Sequence, residues 1–409
     1  MPRQRKGPIE GTPAEAAVLT TVLTNGPVAR AEIARLTGLS SPAITRAVKP
    51  LLDAGYLEYD EAAEPLSPDE ARLGRPSRPL RIRALHTGSV GIKITGDELI
   101  GVVCDLAGTP RVTKRRALAR HVPHEVIAQV ASLHGQLLTA AERVGFALPP
   151  RHLGITLSGE VDHETGYVRY SPFLRWHHVD LGRTLSAELG LPVVVENDVK
   201  ALTIAEKWFG LGRGVANFAV VTVGAGIGCA LVVDDALVRG AHSVAGEIGH
   251  LPLGDRSVLC HCGAHGCVEA QASTTALEIA SRRATGRDDL TFGDAVESAR
   301  AGDPAVMSVF ADAGALIGRA LASVANLLGP EQIIVAGEGV ATYDLFETAI
   351  REAFTEHAFG AALRVAVHVR DLPFEEWARG AAAMAIEAAA FPSWAPATGS
   401  RRVNGDSVA

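Results

Sequence analysis

Apolar positions near the start of the chain recur at helical spacing in three short segments. The first begins at Thr12 and Pro13, a typical N-cap and first helical residue, and runs as AEAAVLTTVLTN to Gly26. The second is AEIARLTG, and the third begins at Ser41 and Pro42 and continues as AITRAVKPLLDAGYLEY. Helix, short glycine-containing turn and helix together predict a helix-turn-helix, in which the third segment is the recognition helix.

The start of a recognition helix faces base edges in the major groove, so its polar side chains are candidates for reading DNA. We expect base contacts from Ser40, Ser41, Thr45 and Arg46, and a phosphate contact from Lys49. The alternative is a three-helix bundle whose polar face only meets solvent, because helical hairpins with a glycine turn occur in many folds. Pro50 lies inside the third segment and is expected to kink or end that helix, after the base-reading turns.

A hairpin is expected directly after the recognition helix, because a strand follows Gly55 and the segment LRIRAL returns after a polar loop. The hairpin would make the module a winged helix-turn-helix. Glycine and proline separate the arginines of the loop, so the loop stays extended. Its guanidinium groups either enter a narrow A·T-rich minor groove or form a basic linker that contacts only phosphates or solvent. The arginines concerned are Arg72, Arg75 and Arg78.

From Thr87 onward, apolar runs of strand length alternate with helical segments. SVGIKITGDELIGVVCDLAGT predicts a hairpin, RVTKRRALA a third strand, and the stretch from Pro123 to Val144 a helix. HLGITLSGEVD and LPVVVENDV predict further core strands, FAVVTVGAGIGCALVVDD a second hairpin, and residues 304–328 a long helix. EQIIVAGEGV and ARGAAAMAIEAAAF predict a last core strand and a closing helix. This alternation indicates an α/β fold in two lobes.

Three thiols and an imidazole lie close together in the segment GEIGHLPLGDRSVLCHCGAHGCVEA. The Cys-x-Cys-x4-Cys spacing of Cys260, Cys262 and Cys267, with glycines between them, lets a tight loop turn three sulfurs toward one point, and His250 completes a tetrahedron. Zn2+ is the metal that this ligand set fits best, and a closed set of four ligands predicts a structural ion. The alternative is a buried cysteine cluster or a disulfide, although disulfides are rare in cytosolic proteins.

Two carboxylates beside these ligands are not needed to hold a metal. Glu247 lies three residues before His250, and Glu269 lies two residues after Cys267. A metal that fixes the histidine also fixes these carboxylates. A rigid set of acceptors could therefore face a small polar ligand such as a sugar.

The motifs GExGH and CxCGxxGCxE resemble the signature of the ROK family, which is named for its repressors, open reading frames and sugar kinases. The resemblance extends from about Ala14 to about Ala390. It implies the actin-like ATPase (ROK sugar-kinase) fold, with two five-stranded lobes around an ATP cleft. The expected layout is a winged helix-turn-helix over residues 1–83, a first lobe over 84–196 joined by the closing helix 376–391, a second lobe with the zinc loop over 197–375, and a disordered tail over 392–409.

The resemblance also implies a set of sugar contacts, because carboxylates and amides can pair with adjacent hydroxyls. The matching positions are Gly159, Asn197, Asp198, Glu247, His250 and Glu269. Asp198 corresponds to the catalytic base of the family's kinases. The alternative for Asn197 and Asp198 is an ordinary strand-end turn. Phe173 stands where many members have asparagine, which implies a changed ligand preference.

The first phosphate cradle of the ROK kinases resembles DIGGTK, and the corresponding segment here is KITGDE. Lys93 replaces the family aspartate, Thr95 a glycine and Asp97 the threonine. Each change is unfavourable for magnesium-ATP, because a metal-organising carboxylate is lost, a side chain enters a glycine turn and a negative charge faces the phosphates. Two glycine turns remain, at residues 224–228 and 337–339, but simple hairpin geometry also explains such turns. The resemblance therefore favours a cleft without catalysis.

Composition and charge agree with a DNA-binding module joined to a larger α/β body. The chain has 409 residues, 47% of them apolar, which suffices for more than one domain. Its net charge of −7 argues against a general nucleic-acid coat, but residues 1–83 carry +2 and the rest −9, which suits a DNA-reading module on an acidic body. No uninterrupted apolar run is long enough for a bilayer and no signal segment follows the basic N-terminus, so a cytoplasmic protein is expected. Cys104 lies in an apolar strand and is expected in the core.

The function that the sequence favours is a transcriptional regulator, more specifically a repressor, that binds operator DNA as a homodimer or homotetramer. Its effector is a sugar or sugar phosphate bound in a kinase-like cleft that has lost catalysis. One alternative is an active ATP-dependent sugar kinase with an added DNA-binding domain, favoured by Asp198 and the second glycine turn. Another is a DNA-binding protein whose body is purely structural and binds no ligand.

Overall fold

The module at the start of the chain has the three expected helices. In the computed structural model, which describes residues 12–61 and 78–390, these are α1 (Pro13–Asn25), α2 (Arg30–Thr37) and α3 (Ser41–Asp53). A capping box begins α1, because the Thr12 hydroxyl accepts from the Glu15 amide at 3.3 Å and the Glu15 carboxylate accepts from the Thr12 amide at 3.0 Å. The three helices share one apolar core, which includes Val18, Val22, Ile33, Ile44 and Leu51.

The expected wing is present. Strand β1 (Leu57–Tyr59) pairs antiparallel with β2 (Leu80–Ile82), and Leu57 lies opposite Ile82. A backbone bridge from Val28 to Leu80, with N–O distances of 2.9 and 2.8 Å, ties the wing to the loop between α1 and α2. The first module is therefore a winged helix-turn-helix.

Pro50 was expected to kink or end the recognition helix, and the second of these alternatives was wrong. Helix α3 continues to Asp53, and the Ala54 amide donates to the Pro50 carbonyl at 2.8 Å. Pro50 is exposed, whereas its neighbours Val48 and Leu51 are buried in the core. The proline removes one backbone hydrogen bond, but the burial of these neighbours holds the last turn in place.

The first lobe is built on a five-stranded sheet with the order β10-β6-β3-β4-β5. Antiparallel β3, β4 and β5 follow one another in the chain, while β6 and β10 run parallel to β3. Their bounds are Gly88–Ile94 (β3), Glu98–Asp105 (β4), Pro110–Ala117 (β5), Leu153–Leu157 (β6) and Val193–Asn197 (β10). Helices α4 (Pro123–Ala141) and α5 (Leu181–Leu189) pack in this lobe, and a small sheet of β7 (Glu160–Asp162), β8 (Tyr167–Ser171) and β9 (Trp176–Asp180) is inserted before α5.

The second lobe repeats the five-stranded arrangement with the order β13-β12-β11-β14-β15. The bounds are Phe218–Val223 (β11), Ile227–Val233 (β12), Ala236–Leu237 (β13), Gln332–Ala336 (β14) and Ala366–Val369 (β15). Its helices are α7 (Glu269–Ala272), α8 (Thr274–Thr285), α9 (Phe292–Arg300), α10 (Pro304–Leu328) and α11 (Glu347–His357). Two five-stranded lobes are what the family resemblance implied.

Two helices link the lobes to each other. Helix α6 (Asp198–Phe209) begins where β10 ends, and α12 (Glu375–Ala390) returns to the first lobe and packs against α6, β3 and β6. The packing is close, since a β-carbon on Gly154 of β6 would clash with the Ala381 carbonyl, and one on Gly380 of α12 would clash with the Ala201 carbonyl. Side chains at these glycines would separate the sheet from α12 and α12 from α6.

Helix α10 has the length and composition to cross a bilayer, although Asp312 and Arg319 interrupt its apolar sequence. More than half of its most apolar stretch is buried. Phe310, Ile317 and Leu321 lie in the core of the second lobe. These contacts are typical of a core helix.

The winged helix docks on the helices that link the lobes. Ile204 and Trp208 of α6 and Met384 of α12 belong to the same buried cluster as the winged-helix core. Just beyond α6, the Arg213 guanidinium donates to carbonyls at the end of α1, with Nη2 3.3 Å from the Gly26 oxygen. Helix α6 therefore runs from the cleft between the lobes to the DNA-binding module.

Candidate functional site

The recognition helix presents one polar face to solvent. Ser41, Thr45 and Lys49 lie at four-residue intervals along α3 and are exposed, and Arg46 is exposed beside them. Ser40 is the N-cap residue, but its side chain makes no capping hydrogen bond. The opposite face carries the buried residues Ile44, Ala47, Val48 and Leu51. The five residues of this segment that were predicted to contact DNA thus lie on the exposed side of α3 or at its start.

Of the three loop arginines predicted to contact DNA, only Arg78 belongs to the described part of the chain; Arg72 and Arg75 lie outside it. The Arg78 guanidinium lies 4.5 Å from the centre of the Tyr59 ring and 3.5 Å from the Glu61 carboxylate. Its side chain is still 59% exposed. Arg78 is therefore held at the base of the wing, with more than half of its side chain accessible to solvent.

Asn197 joins β10 to α6. Its side-chain oxygen accepts from the amides of Val199 and Lys200 at 3.0 and 3.3 Å, and its side-chain nitrogen donates to the Gly159 carbonyl at 3.0 Å. This is the helix cap that a strand-end turn would produce. The amide group has a second N–H, so its structural role leaves one donor for a ligand.

Asp198, the first residue of α6, forms an ion pair with Lys93 of β3. Both side chains are largely buried, with exposures of 12% for Asp198 and 6% for Lys93. The other carboxylate oxygen of Asp198 accepts from the Val199 amide at 2.9 Å. Sequence reasoning noted the lysine but missed this pairing, because the two residues are 105 positions apart and meet only through the register of the sheet.

A buried carboxylate next to this pair connects the two lobes. Glu196 is fully buried, its oxygens lie 3.0 Å from His163 Nδ1 and 3.2 Å from Arg239 Nε, and it accepts from the Asn197 amide at 2.9 Å. Burial alone would raise the pKa of Glu196, but the nearby His163 and the charge of Arg239 outweigh that effect and lower it. Arg239 follows β13 of the second lobe, so this ion pair spans the cleft.

The other predicted acidic residues face the same cleft. Part of Glu247 is exposed to solvent, but its carboxyl has enough protein around it that burial raises its pKa. His250 and Lys200 lower that pKa to a smaller extent, while the charges of Glu269 and Asp198 raise it further. The structure therefore brings Asp198 within electrostatic reach of Glu247, near His250 and Glu269, although Asp198 is distant from all three in the sequence.

Gly159 and Phe173 lie on the first-lobe side of the cleft. Gly159 has φ 127°, and a β-carbon there would clash with the Tyr170 carbonyl, so the close approach that requires glycine is to β8 of the same lobe. Phe173 is 41% exposed and lies against Gly96 in the KITGDE turn. A partly exposed apolar residue thus lies beside the KITGDE turn.

The four predicted metal ligands converge. Their ligand atoms all lie within 4.8 Å of one another, with Cys262 Sγ 3.7 Å from Cys267 Sγ and Cys260 Sγ 3.8 Å from His250 Nδ1. A tetrahedral zinc with bonds of about 2.3 Å to sulfur separates its ligand atoms by roughly 3.8 Å. The donor set and its spacing therefore fit zinc, and no disulfide joins these cysteines.

Backbone turns hold this loop in shape. The Gly254 and Gly266 amides donate to the carbonyls of Gly266 and Val258, both at 2.9 Å, and Cys260 donates to Ala264 at 2.8 Å. Gly263 and Gly266 have φ of 89° and 81°, values that a side chain would disfavour. The glycines between the cysteines thus let the chain reverse twice within a few residues.

His261, between two of the cysteines, connects the loop to the cleft and was missed by sequence reasoning. Its Nε2 lies 2.6 Å from Glu269 Oε1, while Glu269 Oε2 accepts from the Ile227 amide at 2.9 Å. The ring centres of His261 and His250 are 5.5 Å apart. The sequence did offer one signal for its role: His261 lies between Cys260 and Cys262, so its position is coupled to that of the predicted metal loop.

Comparison with known proteins agrees with this architecture. A model of the ROK family matches residues 89–388, and a model of the MarR family matches residues 12–64. The DNA-binding transcriptional repressor Mlc of Escherichia coli (strain K12) is 27% identical over 345 residues, covering 82% of this chain and 83% of Mlc. A glucokinase of Streptomyces coelicolor is 30% identical over 292 residues, covering 68% of this chain and 90% of the enzyme.

A solved structure resembles nearly the whole chain. It is that of a ROK family transcriptional regulator described as a homolog of the Escherichia coli MLC protein, with a TM-score of 0.77 and 24% identity, covering 93% of this chain and 97% of that one. At this identity the likeness bears on the fold, and it includes the N-terminal module. The chain belongs to the ROK family and carries an N-terminal winged helix-turn-helix of the MarR type.

Proposed function

We propose that this protein is a cytoplasmic transcriptional repressor that binds operator DNA as a homodimer or homotetramer and responds to a sugar or sugar phosphate. The effector binds in the cleft between the lobes, and the cleft transfers no phosphate. The ion pair between Lys93 and Asp198 carries the proposal, because it occupies the residue that a kinase of this family would use as its base. Similarity to the repressor Mlc supports the regulatory role.

The pair is unfavourable for phosphate transfer in two ways. A general base must be free to accept a proton from the attacking hydroxyl, but the Lys93 ammonium holds the Asp198 oxygen. Lys93 also brings a positive charge to the strand position where the resemblance places a metal-organising carboxylate, and it would repel Mg²⁺ there. The similarity to a glucokinase is compatible with this proposal, because Asp198 matches the base of the family's kinases whereas Lys93 replaces the family aspartate.

The cleft remains suited to a polyol. Asp198 lies at the junction of the two lobes, and Glu247 and Glu269 belong to the second lobe, so one ligand can accept and donate hydrogen bonds on both sides. A sugar hydroxyl that bonds to Asp198 competes with Lys93 for the carboxylate. Effector binding thus changes the contacts across the cleft, and it shifts DNA affinity to the extent that it prefers one arrangement of the lobes.

Zinc would be held by His250, Cys260, Cys262 and Cys267, and it would serve as a structural cross-link when bound. The chain's own contacts extend from that loop into the cleft, because His261 bonds to Glu269 and Glu269 bonds to the Ile227 amide. A rigid loop would keep Glu247 and Glu269 in place for the effector. On the DNA side, the exposed face of α3 supplies base and phosphate contacts, with Ser40, Ser41, Thr45, Arg46 and Lys49 as the contacting residues.

The test is thermal unfolding against a panel of sugars and sugar phosphates, combined with operator selection from random DNA. An effector at about a hundred times its Kd adds roughly 2.7 kcal/mol of stability. We expect one compound to stabilise the wild type and to change its operator affinity, and to have no effect on Asp198→Asn or Glu247→Gln. The matched control is Glu188→Gln, an exposed carboxylate on α5, which should respond as the wild type does.

An enzyme assay tests the alternative that the protein is an active sugar kinase. The wild type is incubated with ATP, magnesium and the same sugars, and ADP formation is measured. Sugar-dependent turnover that disappears in Asp198→Asn would overturn the non-catalytic cleft. If no compound alters stability or operator binding, the body is structural and the sensor proposal fails.

A further inference from the structure

Carboxylates of the chain itself bind the turn between β11 and β12, at residues 224–226, and the first residue of β12. Backbone N–H groups in a glycine turn attract anions, and this is how such turns bind nucleotide phosphates. Here the Ala225 amide donates to Glu338 Oε1 at 2.5 Å and the Ile227 amide to Glu269 Oε2 at 2.9 Å. The Gly224 amide donates to the Gly226 carbonyl at 3.0 Å. Three of the amides that a phosphate could use are already bonded.

The backbone directs the Glu338 side chain into this turn. Gly337 has φ 105°, and a β-carbon there would clash with the Val223 carbonyl oxygen; one on Gly339 would lie 2.9 Å from the same oxygen. The segment of residues 337–339 is therefore pressed against the end of β11, and Glu338 is its one residue with a side chain. A β-carbon on Gly224 would collide with the Glu338 carboxylate, so the two turns are in direct contact.

Charge adds to this steric exclusion. Glu338 and Glu269 bind the amides of Ala225 and Ile227, two residues apart, and both carboxylates would face the phosphate oxygens of a nucleotide. These carboxylates would repel a negatively charged phosphate at the turn. The backbone amides that could offset this repulsion already donate to the carboxylates. The residues here do not fit magnesium-ATP, and this misfit lies in the second lobe, apart from that of Lys93 in the first.

We propose that Glu338 makes the cleft reject nucleotide phosphates by placing its own carboxylate where a phosphate oxygen would bind. The proposal deepens the proposed function, on which it rests in taking the cleft as a sugar sensor. Its consequence is selectivity: the protein responds to its sugar effector and is insensitive to the ATP and ADP that a ROK kinase cleft would bind. Replacing Glu338 should therefore create an anion site in a protein that otherwise lacks one there.

Isothermal titration with inorganic pyrophosphate and with ADP tests this on the full-length protein. Glu338→Ala removes both the bulk and the charge, whereas Glu338→Gln keeps the bulk and removes the charge. The matched control is Glu352→Ala, an exposed glutamate on α11 outside the cleft. We expect Glu338→Ala to bind pyrophosphate at least about tenfold more tightly than wild type and control, since one charge-assisted hydrogen bond contributes that much. The pyrophosphate affinity of Glu338→Gln should lie between those of the wild type and Glu338→Ala.

The proposal is overturned if the wild type binds pyrophosphate or ADP as tightly as Glu338→Ala, or if neither variant gains affinity. Circular dichroism checks that each variant is folded. If Glu338→Ala does not fold, the pyrophosphate affinity of Glu338→Gln is compared with that of the wild type instead. The outcome is separable from that of the proposed function. If the wild type binds ADP but shows no sugar-dependent turnover, only the proposed role of Glu338 is refuted. If it shows sugar-dependent turnover, the proposal of a non-catalytic cleft is refuted.

Discussion

Replacing Lys93 with methionine will leave the Asp198 carboxylate buried without its cation. The two side chains are 6% and 12% exposed, so water can replace little of the lost interaction. Breaking a buried ion pair by removing one partner costs about 3–5 kcal/mol. Asp198 keeps its hydrogen bond from the Val199 amide and some contact with solvent, which places the expected loss near the lower end, at about 3 kcal/mol.

This loss is measurable as a change in melting temperature. The ROK portion covers residues 89–388, and for a unit of this size about 3 kcal/mol corresponds to roughly 5 °C. Lys93→Met, Asp198→Asn and the double variant are unfolded by heat under the same conditions. Each single variant should melt lower than the wild type, and the double variant should lose less than the two single changes added together, because neither charge is then left alone.

The control is Lys114→Met on β5, a partly exposed lysine of the same sheet. Its melting temperature should match that of the wild type. If Lys93→Met also melts with the wild type, or if the two single effects simply add, Lys93 and Asp198 do not stabilise each other. Lys93 would then not hold Asp198, and the proposal of a non-catalytic cleft would lose its main support.

Four further outcomes follow from the structure. Removing zinc with a chelator, or Cys262→Ser, should lower the melting temperature and abolish the effector-induced shift, and added zinc should restore both in the wild type only. His86 is buried against Tyr56 with no hydrogen-bond partner on either ring nitrogen within the described residues. Burial, with a smaller contribution from the charge of Arg83, lowers its pKa, so the unfolded chain takes up this proton first and stability falls as pH drops below about 6.5. His86→Phe should reduce that loss between pH 7 and pH 5 in denaturant titrations; an unchanged loss would contradict the assignment. Arg46→Ala should weaken operator binding by about 1–3 kcal/mol with little effect on random DNA, and equal weakening of both would mean that it contacts only phosphate. Arg213→Ala removes the contact from the end of α6 to α1 and should leave effector binding intact while reducing its effect on operator affinity, measured by fluorescence anisotropy.

Local signals were enough for the helices and for the cysteine cluster. The Thr12 cap, the Ser41 start of α3 and the long helix from Pro304 to Leu328 were all predicted at their observed positions, because caps and apolar periodicity depend on neighbouring residues. The Cys-x-Cys-x4-Cys spacing likewise determined the cysteine cluster, since all three thiols lie on one short loop. The helix does not end at Pro50, one of the two effects expected there, because the burial of neighbouring side chains outweighs the local penalty of the proline.

What the sequence by itself determined was therefore the kind of protein: a winged helix-turn-helix joined to a two-lobed α/β body with a thiol-rich loop. Only the tertiary structure decided which side chains contact one another in the cleft. Lys93 meets Asp198, and Glu338 meets the turn at Gly224, through strands and turns that are distant in the chain. A side chain's charge can be read from the sequence, but the partner that neutralises or repels it depends on which strands lie side by side. The register that places Lys93 and Glu196 opposite the same Thr156 of β6 is a property of the folded sheet.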